Sequence, residues 1–387
     1  MTETLENKKK YSLRTLLLLA AIACAAVVFF GLPYVPWPPS PLITPEAGGS
    51  LAGLKPAWNQ SFEEVIATTP VIVGDKVIVH TTAAVYALKL GDGHLLWRAD
   101  SPANTWQTRP PDVDGDIVVV PETDGYLAAF SLTTGARLWR SCAFCSSGWK
   151  VQDMALSGGY AYVSMNLGNA GGIAAYRVGT GYQMWDAPDS VDSFTPIAAD
   201  GEYVYVLGTE GIEALDPQTG KANHMISASS FEDMSQFAIA DGVLFLIRWG
   251  GDASKVQAVT LADGKVKWTT DFKTSGMPMR LALNGDTLYV SADRVYALSL
   301  ANGETAWNTA PISSPGRAVE LRDRVYVRDG EGRLHVLDAI TGRQVGQLAL
   351  GNTTNNDAPP SELNPASNRD FLLIPIGNRQ IFAYRPD

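Results

Sequence analysis

Cysteine and histidine are scarce in this chain, three and four residues among 387. The histidines, His80, His94, His224 and His335, lie far apart and form neither an HxH nor an HExxH pattern. No metal-ligand spacing is visible, and no metal site is expected. No glycine-rich loop follows a strand and opens a helix, so a phosphate cradle is not expected either. Charged residues make up only 18% of the chain, and the basic ones are the fewer: 30 Lys and Arg against 40 Asp and Glu, a net charge of −10. Residues 1–15 carry +2, from Lys8, Lys9, Lys10 and Arg14 against Glu3 and Glu6, which leaves −12 for the rest. That balance argues against a nucleic-acid or anionic-lipid surface.

What the chain has is apolar residues, glycine and proline. Hydrophobic residues reach 46%, with Gly 36 and Pro 23, the composition of a globular protein richer in strands and turns than in helices. Leu16–Val35 is a nearly uninterrupted apolar run of 20 residues behind the basic residues 1–15. At about 1.5 Å per helical residue it spans roughly the 30 Å hydrocarbon core, so one transmembrane helix is expected there. The positive flank keeps the N-terminus cytoplasmic and puts everything after residue 40 on the periplasmic or extracellular side. Two alternatives stay open: a lipoprotein anchored through Cys24 in Ala21-Ile22-Ala23-Cys24, and a cleaved signal peptide. Residues 36–50, "PWPPSPLITPEAGGS", read as a Pro-rich linker.

From residue 51 to 387 one pattern returns. A glycine stands four residues before a tryptophan in "GDGHLLW", "TTGARLW", "GTGYQMW", "LADGKVKW" and "LANGETAW". The frame places its last position at Trp58, Trp97, Trp139, Trp185, His224, Trp268, Trp307 and Gly346, at intervals of 39 to 46 residues. Within each unit, short apolar runs alternate with turn signals such as Gly74-Asp75 and Asp114-Gly115, giving four strands. A period near 40 with four strands is a propeller blade. Seven units follow Trp58. The tail "FLLIPIGNRQIFAYRPD" supplies inner strands without an outer one, and the stretch around Trp58 supplies an outer strand without inner ones. Joining the two gives an all-β, eight-bladed propeller of four-stranded antiparallel blades, with no open sheet edge at the closure. Trp58, Trp97, Trp139, Trp185, Trp268 and Trp307 are then docking residues between blades. His224 and Gly346 break the frame, and their seams are expected to be the most weakly joined.

The unit seen in "AFSLTTGARLW", "ALSLANGETAW" and "ALKLGDGHLLW" resembles the repeat of the pyrroloquinoline-quinone-like propellers, over roughly residues 55–387. One branch of that family holds quinone-dependent dehydrogenases, with a bound quinone and calcium. The compact length and the N-terminal targeting segment look more like the other branch, the BamB outer-membrane assembly scaffolds. That resemblance implies a non-catalytic, membrane-tethered, monomeric scaffold that binds protein partners of the cell envelope and needs no cofactor. The alternative is a pyrroloquinoline-quinone and calcium enzyme, or a small-ligand sensor, using the axial funnel.

The residues leading into the innermost strands offer Arg109, Asp153, Arg280 and Arg317. One carboxylate and three arginines suit a small anion or an acidic peptide end better than a calcium–quinone pair, and they equally suit a solvated channel mouth. Cys142 and Cys145, in "SCAFCSS", are expected to form a local disulfide in an oxidising compartment. Loops at 166–172 and 248–255, and the aromatics of "TWQTRP" and "SSGW", are candidate contact residues.

Overall fold

A computed structural model describes residues 51, 53–103, 109–143, 150–167, 170–191, 196–207, 211–227, 234–250, 253–273, 279–350 and 363–386. The expected membrane segment at 16–35, Cys24 and the linker at 36–50 lie outside the described residues. Among the described residues no helix is long and apolar enough to cross a membrane.

Eight four-stranded antiparallel sheets follow one another. Blade 1 runs over Val71–Val73, Lys76–His80, Ala84–Lys89 and Leu95–Asp100. Blades 2 to 7 repeat this from inner to outer strand, ending in the outer strands Arg137–Cys142, Gln183–Val191, Ala222–Ser227, Val266–Phe272, Thr305–Asn308 and Gln344–Ala349. Blade 8 takes Ala366–Ser367, Leu372–Ile376 and Gln380–Pro386 from the C-terminus and Leu54–Ser61 from the N-terminus. The closing pair is antiparallel, from Leu54 opposite Pro386 to Ser61 opposite Gln380. The first strands of blades 2 to 8 touch in succession, that of blade 8 touches that of blade 1, and a shared hydrophobic cluster joins blade 1 to blade 2, so the array closes on itself.

The strands read as they do because each blade is covered on both faces by its neighbours. Second strands carry unbroken apolar runs, Val77-Ile78-Val79, Val118-Val119-Val120 and Val325-Tyr326-Val327, all fully buried. A strand with one wet face would alternate instead. The hydrophobic clusters accordingly join residues of adjacent blades, as Ile78, Val85 and Trp97 of blade 1 do with Val118 and Phe130 of blade 2. The core is a ring of seams rather than one central mass.

Candidate functional site

Six of the eight seams are made at the rim by the Gly-x-x-x-Trp frame, through a contact the frame itself does not reveal. The tryptophan packs on the glycine of the next blade rather than on its own. Trp58 lies on Gly93, Trp97 on Gly135, Trp139 on Gly181, Trp185 on Gly220, Trp268 on Gly303 and Trp307 on Gly342. A Cβ added to Gly135 would stand 2.6 Å from the Trp97 ring, inside contact distance, and its φ of +72° also favours glycine. Every one of these indoles donates its Nε1–H to the carbonyl three residues before the receiving glycine, at 2.6 to 3.0 Å. The indole thus buries its apolar body and satisfies its single polar group in one turn of the neighbouring blade.

A β-bulge aims the ring. In all eight blades the pairing of the outer strand slips at the residue just before the frame position: Ala57, Leu96, Leu138, Met184, Asn223, Lys267, Ala306 and Val345. The extra residue turns the strand locally and sends the next side chain into the seam.

Two seams lack an indole, for different reasons. Between blades 4 and 5, His224 is exposed and turns back edge-on to Tyr203 of its own blade, 5.2 Å between ring centres. The carbonyl of Ile226 occupies the space over Gly264 where a ring would lie. Between blades 7 and 8 the frame position is Gly346. The outer strand of blade 8 begins the propeller rather than following its third strand, so no turn exists there to receive a ring. Leu51, just ahead of that strand, is buried with Leu348, Leu350, Tyr326 and Tyr384.

Toward the axis the seams are pinned by polar side chains. Asp112 of blade 2 accepts the Leu156 N–H of blade 3 at 3.2 Å, and Asp153 of blade 3 accepts the Ile197 N–H of blade 4 at 3.1 Å. Gln236 of blade 5 accepts the Leu281 N–H of blade 6 at 3.3 Å. Asn364, at the start of blade 8, accepts the Arg317 N–H of blade 7 at 2.9 Å and donates its own N–H to Thr69 at 3.0 Å. Between blades 1 and 2, Ser101 donates to the buried Glu122 at 2.8 Å and accepts at its carbonyl from His80 Nε2 at 3.3 Å.

The four axial candidates therefore separate. Arg109 and Asp153 come together in a hydrogen-bonded ion pair. Burial pushes the Asp153 carboxyl above the usual range, with the Arg109 charge and the Ile197 and Met154 N–H groups opposing that shift. Arg280 opens the first strand of blade 6, half-buried, and Arg317 precedes the first strand of blade 7, exposed. Sequence reasoning found Asp153 but missed Asp112, Gln236 and Asn364, because three residue types do one job at no fixed offset. Among the described residues no group of three or more His, Cys, Asp or Glu side chains is placed to hold a metal ion. Cys142, at the end of the outer strand of blade 2, is disulfide-bonded, while Cys145 lies outside the described residues. Of the candidate contact loops, the aromatics Trp106 and Trp149 also lie outside them.

The family model described as outer membrane protein assembly factor BamB matches residues 52–225 and 229–370. A protein of that name from Shewanella oneidensis is 27% identical over 273 residues, which is 68% of this chain and 58% of the relative. One from Yersinia pestis is 24% identical over 317 residues, 78% of this chain and 67% of the relative. The chain thus spans less than two thirds of the Shewanella relative. Among solved structures, BamB from Moraxella catarrhalis matches with a TM-score of 0.64 at 16% identity, over 86% of this chain and 99% of that one. The quinohemoprotein alcohol dehydrogenase of Comamonas testosteroni matches with a TM-score of 0.65 at 14% identity, over 86% and 76%. At such identities these structures speak for the fold alone.

Proposed function

The chain belongs to the family of outer membrane protein assembly factor BamB, and on that footing we propose that it is a non-catalytic scaffold of the cell envelope. In this reading the N-terminal apolar segment tethers it to a membrane, and the propeller stands outside the cytoplasm to hold proteins that take part in outer-membrane protein assembly. The observation that carries the reading is the use made of the polar groups near the axis. Asp112, Asp153, Gln236 and Asn364 each accept a backbone N–H of a neighbouring blade, and Asp153 also holds Arg109. Groups committed to joining blades serve architecture, and what remains to act is surface.

The quinone reading does not fit the residues described. A calcium–quinone pair wants several free carboxylate and carbonyl oxygens around one pocket. The buried carboxylate nearest that role, Asp153, already accepts two backbone N–H groups and pairs with Arg109.

Two experiments on the full chain test the proposal. Crosslinking in intact cells, followed by purification in mild detergent, is expected to retrieve outer-membrane assembly proteins. Titration with pyrroloquinoline quinone and calcium is expected to leave the absorbance spectrum of the quinone unchanged. A stoichiometric spectral change would replace the scaffold with an enzyme.

A further inference from the structure

Among the described residues three carboxylates are buried, and each is answered: Glu122 by Arg140, Asp153 by Arg109, and Asp329 by Arg333 and His335. Arg328 is also buried, 9% exposed, and forms no ion pair among the described residues. Its guanidinium makes one hydrogen bond there, from Nη1 to the Leu363 carbonyl at 3.1 Å. The carboxylate next in sequence, Asp329, is turned to other donors: Arg333 Nε, His335 Nε2 and the N–H groups of Glu331 and Arg333. Burial works against the Arg328 charge and lowers its pKa, with the Asp329 charge opposing that shift. A carboxylate in such a place takes up a proton and becomes neutral. A guanidinium keeps its charge, so leaving it buried without a counter-charge is costly.

The place of this charge in the ring matters. Arg328 ends the second strand of blade 7, Arg324–Arg328, and Leu363 leads into the first strand of blade 8. The contact therefore crosses a seam that has Gly346 where most others have an indole. Asn364, next to Leu363, accepts the Arg317 N–H and donates to Thr69. One residue away, the Thr68 hydroxyl is 2% exposed and has no hydrogen-bond partner. The side chains named at this junction are positive or neutral, and two of them, Arg328 and Thr68, have hydrogen-bonding capacity unmet. We propose that Arg328 anchors a site for a small oxyanion, a carboxylate or a phosphate, which ties blade 7 to blade 8 across the seam without an indole. The planar fork of a guanidinium matches two oxygens of such an ion at once, which a spherical halide does not offer. The chain as a whole is acidic, 40 Asp and Glu against 30 Lys and Arg, so its overall field repels anions. Attraction at Arg328 is then local. The inference is independent of the scaffold reading, which stands whichever way the test falls.

The test is calorimetric titration of the full chain, in neutral detergent and a zwitterionic buffer, with inorganic phosphate and separately with acetate. Sodium chloride holds the ionic strength constant and serves as the halide control. The expected result is saturable binding of one ion per chain, and the tighter of the two probes tells phosphate from carboxylate. Arg328→Met should weaken that binding by at least about tenfold. Arg328→Lys keeps the charge but not the fork, and should fall between the two. The bound ion should also raise the melting temperature of the native chain, by mass action, and leave that of Arg328→Met unchanged. A purely structural arginine would give the opposite pattern: a lower melting temperature in Arg328→Met that neither ion alters in either chain. If Arg328→Met does not fold, the native titration and Arg328→Lys carry the test. No saturable binding of either ion to the native chain, or equal affinity in a folded Arg328→Met, would overturn the proposal.

Discussion

Rim and axis join the same blades by opposite chemistry. At the rim an indole fills the seam and donates one hydrogen bond into the next blade. Near the axis a small polar side chain accepts an N–H across the seam. The rim joint depends on shape, so one residue type at one fixed position serves in six seams. The axial joint depends on an acceptor within reach, so Asp, Gln and Asn serve alike. Shape constrains sequence tightly and hydrogen bonding constrains it loosely. Shape is also insensitive to pH, while several of the polar joints titrate.

The comparison is broken most severely at a seam without an indole. At the blade 4–5 seam the Ile226 carbonyl sits where the Cβ of any other residue at position 264 would go. Gly264→Ala puts a side chain against main chain that cannot swing aside, at a φ of +66°. The expected loss is above about 4 kcal/mol, or failure to fold, read from urea unfolding. Gly74, also at positive φ but with nothing within 4 Å, is the control, and Gly74→Ala should cost only about 1 kcal/mol.

Next in size is the indole itself. Trp307→Ala should lower stability by about 3–5 kcal/mol, because it removes a buried ring and leaves Gly342 uncovered. His224→Ala, at the same frame position but exposed, should change it by less than about 0.5 kcal/mol. Equal losses would mean that the blade 4–5 seam uses its histidine as the others use tryptophan. Hydrogen exchange of the outer strands Ala222–Ser227 and Gln344–Ala349, compared with Thr305–Asn308, then reports whether seams without an indole open more easily.

Acid should weaken the polar joints first. His80 is fully buried, and desolvation lowers its pKa to about 4, with the Ser101 carbonyl opposing that shift. The unfolded chain takes up this proton near pH 6.5 and the folded chain only near 4. Stability is therefore present above pH 6.5 and is lost as pH falls from about 6.5 to about 4. The loss from this group is about 3 kcal/mol. Urea unfolding at pH 7 and pH 4.5 should show that slope in the native chain and less of it in His80→Gln. The smallest effect belongs to a neutral axial pin: Gln236→Ala removes one hydrogen bond and should cost about 1 kcal/mol.

The rim was legible in advance and the axis was not. The indole frame, the blade period and the borrowed N-terminal strand all rest on positions that recur, and recurrence is visible in a string of letters. The bulge before each tryptophan was hidden, since it is a fact of strand register and leaves no residue type behind: Leu, Asn, Lys and Ala all occupy it. Arg109 and Asp153 were named from their place before inner strands, yet nothing in that placement said that they meet each other. Nor did it say that the carboxylate also caps Ile197 in the following blade.

The sequence by itself determined that four-stranded units of about 40 residues repeat and close, because burial on both faces and a ring-sized gap at each seam require apolar runs and tryptophans at a fixed spacing. Only the tertiary structure decided which glycine receives which indole and why two seams do without one. Those outcomes depend on which blade stands next to which in space: neighbours across an ordinary seam are some 30 to 45 residues apart in the chain, and Asn364 and Thr69 across the closing seam are 295 apart.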